Sequence, residues 1–385
     1  MNYKDLDHFY CNYLNNKIIP FWENYSLDKK DGAINNCIDN IGKIVSKDRY
    51  ILSQARALWT FSSLYNNIEK KEKWLSIASG IFEYLKKNGT NKKGEWNYLL
   101  DYDRNIKDGP ISIFTDGFAI YGLNEYYKAS QDPSAIELAI KTYEITSKRL
   151  KSDDQYLTYP LPSKKGLISH SIYMVFCLAF FELGKTLNDK EIINEAKFYA
   201  DGIPSNFFSN DKQLLFEYRN ENQPNYNNGI ERVIIPGHAI ESMWSLIHIY
   251  QSLGLDYKVK DAISCLKLHI ESGWDNEFGG IFLSIDSESK KPWWPYSDTK
   301  PWWPITEALY GLLLCDSISG EKWCLEWYWK VHEYAFNNYP SNNYAEWNQK
   351  LDREGKIIGD VVGLPVKDPF HLPRAIIMIS NILKT

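Results

Sequence analysis

Two histidines stand at the heads of helical patterns, His238 in Pro236-Gly237-His238-Ala239-Ile240-Glu241 and His371 in Asp368-Pro369-Phe370-His371-Leu372-Pro373-Arg374. Each has a charged residue three places on, and residues three apart share a helix face. The spacing therefore predicts an imidazole beside a group able to orient it, Glu241 for His238 and Arg374 for His371. Imidazole titrates near pH 6.5, so one ring can remove a proton while another returns one. The matching chemistry is proton transfer at a weakly acidic carbon, which also needs a donor for the oxygen that gains charge. A lone histidine at a helix start more often caps or packs, and His8, His248, His269 and His332 are read that way.

Further polar residues interrupt otherwise apolar segments: Arg56, Asp116, His170 and Glu307. Arg56 and Glu307 are candidates for a shared pocket, with a buried structural ion pair as the plain alternative. Asp116 is read as a brace between helices. The string Lys-Pro-Trp-Trp-Pro occurs twice, at 291–295 and 300–304. In the second copy Trp303 lies four residues before Glu307, so a flat ring for a sugar and a carboxylate for its hydroxyls would share a face. Trp59, Trp244 and Trp302 are read mainly as core, and the first copy as a wall or lid.

Apolar residues at three and four spacing predict twelve helices, at 6–25, 42–67, 71–88, 111–129, 133–150, 168–187, 189–207, 236–253, 257–272, 302–318, 321–338 and 369–384. Strand-like pieces fall at 94–104, 211–219, 279–286 and 345–358. The even-numbered helices are apolar all round and must be enclosed, whereas the odd ones carry a wet face. Six inner helices alternating with six outer ones describe an all-α, closed (α/α)6 barrel with short β-hairpins in its loops. A solenoid is the alternative, but no fixed repeat is visible. No linker composition breaks the chain, so residues 1–385 are expected to be a single domain. The polar interruptions all lie early in even helices, and Asp108-Gly109-Pro110, Lys165-Gly166, Pro236-Gly237, Pro301 and Asp368-Pro369 lead into them. Parallel inner helices would gather these residues at one mouth.

Composition removes several function classes. A net charge of -5 over 385 residues offers no general attraction to nucleic acid or anionic membrane. The start of the chain lacks a basic-then-apolar leader, and the most apolar run, 173–181, is too short to span a bilayer, so a cytoplasmic location is expected. Six scattered cysteines without a CxxC pair read as reduced core thiols. His238-x-x-Glu241 lacks the second histidine of a zinc motif, and there is no phosphate-binding glycine loop, so no metal and no redox cofactor are expected.

The strings Pro236-Gly237-His238-Ala239-Ile240-Glu241-Ser242-Met243-Trp244, Lys300-Pro301-Trp302-Trp303-Pro304-Ile305-Thr306-Glu307-Ala308-Leu309, Glu346-Trp347, Leu351-Asp352-Arg353-Glu354-Gly355 and Phe370-His371-Leu372-Pro373-Arg374 resemble the N-acylglucosamine 2-epimerase family. Ser112-Ile113-Phe114-Thr115-Asp116-Gly117-Phe118 and Arg56 in Ala55-Arg56-Ala57-Leu58-Trp59 extend the likeness over roughly residues 50–380. The resemblance implies an (α/α)6 barrel and inversion at carbon 2 of a sugar, N-acetyl-D-glucosamine to N-acetyl-D-mannosamine. One histidine would take the proton beside the carbonyl and the other would return it to the opposite face. His238 and His371 match those positions, with Arg56, Arg374 and Glu307 holding sugar and histidines. It also implies a homodimer and ATP as a candidate allosteric activator. His170 resembles instead the mannose isomerases and cellobiose 2-epimerases, where a third histidine contacts the sugar. The last motif departs from the family form, Lys-Gly-x-Phe-His-Val-Pro-Arg, by carrying Asp368 and Pro369 after Lys367. An aldose–ketose isomerase, a cellobiose 2-epimerase, an inverting glycosidase and a noncatalytic sugar-binding protein are the remaining readings.

Overall fold

Twelve helices form two concentric rings in a computed structural model that describes residues 3–152, 156–162, 166–220, 229–341, 346–359, 363 and 367–384. The first, α1, runs as Tyr3–Tyr13, a π-helical turn Leu14–Ile18 and Ile19–Tyr25. Then follow α2 (Ile51–Ser63, ending in a π turn Leu64–Ile68), α3 (Glu72–Asn88), α4 (Phe114–Ser130), α5 (Pro133–Leu150) and α6 (His170–Leu187). The second half contributes α7 (Lys190–Phe207), α8 (Pro236–Ser252), α9 (Asp256–Gly273), α10 (Trp302–Ser319), α11 (Lys322–Asn338) and α12 (His371–Leu383).

The inner ring closes: α2 packs on α4, α4 on α6, α6 on α8, α8 on α10, α10 on α12, and α12 returns to α2. Closure excludes the solenoid. Every residue of α10 from Pro304 to Cys315 is buried, whereas α11 buries only Cys324, Tyr328, Val331 and Ala335. That difference is what a helix apolar all round and a helix with one apolar stripe require.

Three of the inner helices, α4, α6 and α10, pass to outer ones through two-residue turns. Gln131 (φ 59), Asn188 (φ 52) and Gly320 (φ 64) each end an inner helix in the left-handed conformation, which satisfies the last carbonyls and reverses the chain at once. Caps then restart the outer helices, with the Asp132 and Asp189 carboxylates accepting from backbone N–H groups of Ser134, Glu191 and Ile192. The return connections are long and hold the short strands. Leu167–Ser169 pairs antiparallel with Tyr218–Asn220, Val233–Ile234 with Ile285–Asp286, and Lys300–Pro301 with Lys350–Leu351.

The helix expected at 42–67 starts only at Ile51. Residues 44–46 and 49–50 are strands, and Ile44 and Val45 are exposed, so a helix-like spacing there has no core to face. Gly42, at φ 83, turns the chain just before them. Of the expected features, Lys165 and residue 345 lie outside the described residues. No helix among the described residues is long and apolar enough to cross a membrane.

Candidate active site

All six inner helices send residues from their N-terminal halves into one pocket of about 350 Å³. Its wall includes Arg56 from α2, Phe114 and Phe118 from α4, Ser171 and Met174 from α6, His238 and Glu241 from α8, Trp303 from α10 and His371 from α12. Of the residues expected to converge at one barrel mouth, Arg56, His238, Glu241 and His371 line this pocket.

His238 is held by a residue that sequence reasoning missed. Its Nδ1 lies 2.9 Å from Oε2 of Glu217, a fully buried carboxylate just before the strand Tyr218–Asn220. Glu217 also accepts from the Ser171 hydroxyl. The available signal was one acid within Leu214-Leu215-Phe216-Glu217-Tyr218, where an unpartnered charge would be too costly to bury. Glu241, the expected partner, turns away to Arg374, whose Nη2 donates to its Oε1 at 2.5 Å. A shared face left both options open.

His371 has its Nδ1 2.8 Å from Oε1 of Glu307 and 3.4 Å from Nη2 of Arg374. Glu307 is fully committed, since it also accepts from Arg374 at 2.8 Å and from the indole of Trp244 at 2.9 Å. It orients the histidine rather than presenting itself to the cavity, contrary to the expectation drawn from its spacing to Trp303. Glu241, Glu307 and His371 place ligand-type atoms within 4.8 Å of one another, and the cation their carboxylates hold is Arg374. Arg374 sits below the pocket, beside a smaller void, so of the two arginines only Arg56 faces the cavity.

With a carboxylate at each Nδ1, that nitrogen carries the hydrogen, and each Nε2 is left for substrate. The Trp303 ring lies near both imidazoles, with centroids 5.0 Å from His238 and 5.9 Å from His371. Gly237 allows this, because a Cβ there would collide with the six-membered ring of Trp303. From the first tryptophan pair, Trp294 forms another part of the wall and stacks near Tyr218. Lys300 of the second copy is buried and pairs with Asp275 at 3.1 Å. Trp59 stacks on Tyr121 in the core, and Trp244 is wholly buried.

The surroundings push the two rings in opposite directions. Burial lowers His238, but the carboxylates of Glu217, Glu241 and Glu307 outweigh it and raise the ring above its ordinary value. Burial also lowers His371, and the positive charge of Arg56, Arg374 and His238 helps hold it well below. His238 is thus pushed toward holding its proton and His371 toward losing it. Glu217 stays ionised below the usual range, because His238, His170 and Ser171 overcome the burial that would raise it. Replacing Glu217 with Gln is expected to move the His238 midpoint downward in a proton NMR titration. A midpoint that stays or rises would remove Glu217 from this role. The pair's contribution to stability follows the same sign: for His238 it is full below the unfolded value near 6.5 and lost as pH rises through the higher folded value.

Two expected residues lie away from the cavity. His170 is buried behind the wall, with Nε2 2.7 Å from the Ser242 hydroxyl, and burial lowers it to about 4. It backs Glu217, at 3.8 Å, rather than contacting a sugar. Asp116 accepts from Arg149 at 2.7 Å and Thr146 at 3.2 Å, joining α4 to α5. It is the brace its position suggested. Among the remaining histidines, His269 accepts from the Leu215 backbone N–H and His332 contacts Tyr10, both within the packing.

Comparison with known proteins then decides the family, because the N-acylglucosamine 2-epimerase model matches residues 32–372. The chain belongs to the N-acylglucosamine 2-epimerase family. It is 27% identical to the N-acylglucosamine 2-epimerase of Mus musculus over 95% of this chain and 89% of that one. These likenesses support sugar 2-epimerisation, an isomerase activity. In fold it is similar to a cellobiose 2-epimerase from Bacillus thermoamylovorans, with a TM-score of 0.87 at 18% identity covering 99% of this chain and all of that one. A D-mannose isomerase gives 0.83 at 15% identity, covering 98% and 97%. The family's barrel thus agrees with the ring of helices described above.

Proposed function

We propose that the protein interconverts N-acetyl-D-glucosamine and N-acetyl-D-mannosamine, with His238 and His371 as the two proton carriers at carbon 2. The observation that carries the proposal is the pair of imidazoles on one pocket wall, each anchored through Nδ1 to its own carboxylate. In one direction His371 takes the proton beside the carbonyl while His238 donates to the other face; the reverse direction exchanges the roles. Arg56 faces the oxygen that becomes negative, where a guanidinium stabilises the enediolate. Trp303 offers a flat face to the sugar. Leu52, Phe118, Met174 and Val175 supply an apolar wall suited to the acetyl methyl group.

We take the working form as one domain in the cytoplasm that consumes no cofactor, on the sequence reading, and as a homodimer with ATP as a candidate allosteric activator, on the family resemblance. A glycosidase reading is disfavoured because Glu241 and Glu307 are both paired with Arg374, which leaves neither free to serve as acid or base. The deciding experiment incubates the protein in deuterated water with N-acetylglucosamine, N-acetylmannosamine, mannose and cellobiose in turn, with and without ATP. Deuterium entering carbon 2 with inversion of an N-acetylhexosamine is the expected result. Fructose formed from mannose would select the aldose–ketose isomerase, inversion of cellobiose alone would select that sugar, and no exchange with any of the four would end the epimerase reading for these sugars.

A further inference from the structure

Arg56 reaches the pocket without a firm polar anchor. Its guanidinium lies over Phe118 at 4.0 Å and beside Phe370 at 5.1 Å, contacts that hold a cation's plane without fixing its rotation. Its Nε has no hydrogen-bond partner. The nearest carboxylate is Asp368, with Oδ2 3.7 Å from Nη1. Asp368 is itself buried, and among the described residues neither of its oxygens has a close, well-aligned hydrogen-bond donor. The Ser53 hydroxyl, one turn before Arg56 on α2, has no other partner among the described residues, and its side chain favours the ionised form of Asp368. The neighbouring cation, Lys367, is occupied by Glu346 at 2.9 Å.

A buried carboxylate with no hydrogen bond is costly unless something compensates. Burial lifts Asp368 to about 6, against the pull of Arg56 and Ser53. Arg56 and Asp368, 3.7 Å apart, with Ser53 one turn earlier on α2 also acting on the carboxylate, connect the start of α12 to the side chain expected to meet the enediolate. We infer that Asp368 is a positioning residue for the reaction, holding Arg56 in its rotation at the pocket wall with the help of Ser53. The inference rests on the epimerase reading. Charged groups around Arg56 from the other elements are Glu241 on α8, Glu307 on α10 and Arg374 on α12. Without Asp368 the guanidinium would turn toward the two glutamates, away from the substrate oxygen.

The test is a double-mutant cycle with Asp368→Asn and Arg56→Lys, measuring carbon 2 exchange on the sugar that the wild type turns over. Asp368→Asn is expected to lower kcat about tenfold or more, as for a transition-state contact of roughly that worth, while KM stays within about threefold. In the Arg56→Lys background the same change is expected to cost less than about threefold, because its target is gone. Melting temperature accompanies each variant. An unchanged kcat, an equal loss in both backgrounds, or a loss only in proportion to unfolded protein would overturn the inference. If Asp368→Asn does not fold, Ser53→Ala takes its place, with a drop of about threefold in kcat expected and no drop overturning it. Exchange by the wild type with an unaffected Asp368→Asn variant sinks only this inference, whereas a wild type inert toward all four sugars sinks the underlying reading with it.

Discussion

Replacing His371 with Ala is expected to lower epimerisation about a thousandfold, within the range that general acid–base groups contribute, and His238→Ala should match it. Loss of inversion alone does not distinguish two bases from one essential residue. With either ring absent, the surviving histidine can still remove and return a proton on its own face. Each variant should therefore wash deuterium out of carbon 2 of one epimer and leave the other untouched, and the two variants should choose opposite epimers. Both should fold, because each ring lines the cavity and, when His371 is removed, Glu307 still holds Arg374 and the Trp244 indole. The outcome that defeats the two-histidine mechanism is inversion at the wild-type rate in either variant. Washout from the same epimer by both would place the rings on one side and defeat the opposed-face geometry.

The largest stability effect is expected at Glu307. Its two oxygens hold Arg374, His371 and the Trp244 indole, and all four side chains are buried. Glu307→Ala removes the acceptor from three donors and leaves Arg374 with Glu241 alone. Breaking a buried ion pair from one side typically costs about 3–5 kcal/mol, a large part of the roughly 5–15 kcal/mol that holds a typical domain together. A marked fall in the urea midpoint is expected, together with loss of activity as the His371 tautomer is released. Glu307→Gln keeps the shape and one acceptor, so it should lose less stability but still much of its activity. An Ala variant with the wild-type urea midpoint would show that Glu307 is not the keystone of this network.

Much of the architecture is legible because helical periodicity directly encodes which faces are wet. The alternation of inner and outer helices survives in the contrast between α10 and α11, and eleven of the twelve expected helices start within three residues of their observed positions. The exception, at 42–50, arises because Ile44 and Val45 have the spacing of a buried stripe but face outward. The site was legible where it lies on helices and obscure where it lies between them. His238 and His371 announce themselves at helix starts, whereas Glu217 comes from a short strand connection with no motif around it. Partner choice was also hidden. A three-residue interval puts Glu241 on the side of α8 that holds His238, but the closer claim of Arg374, from a helix over a hundred residues later, depends on how the ring closes. His170 was drawn toward the cavity by resemblance, while its neighbours Ser242 and Glu217 hold it in the wall.

Closure of the ring has a consequence for how the site comes into being. His371 heads α12, which seats between α10 and α2 and so joins the two ends of the inner circle. Helices can form locally within microseconds, but contacts so distant along the chain wait for the slow search that brings its ends together. The proton pair cannot exist in any intermediate that still has a gap between α12 and α2. During refolding, helical circular dichroism should recover before turnover does, and the return of turnover times the moment at which the circle shuts.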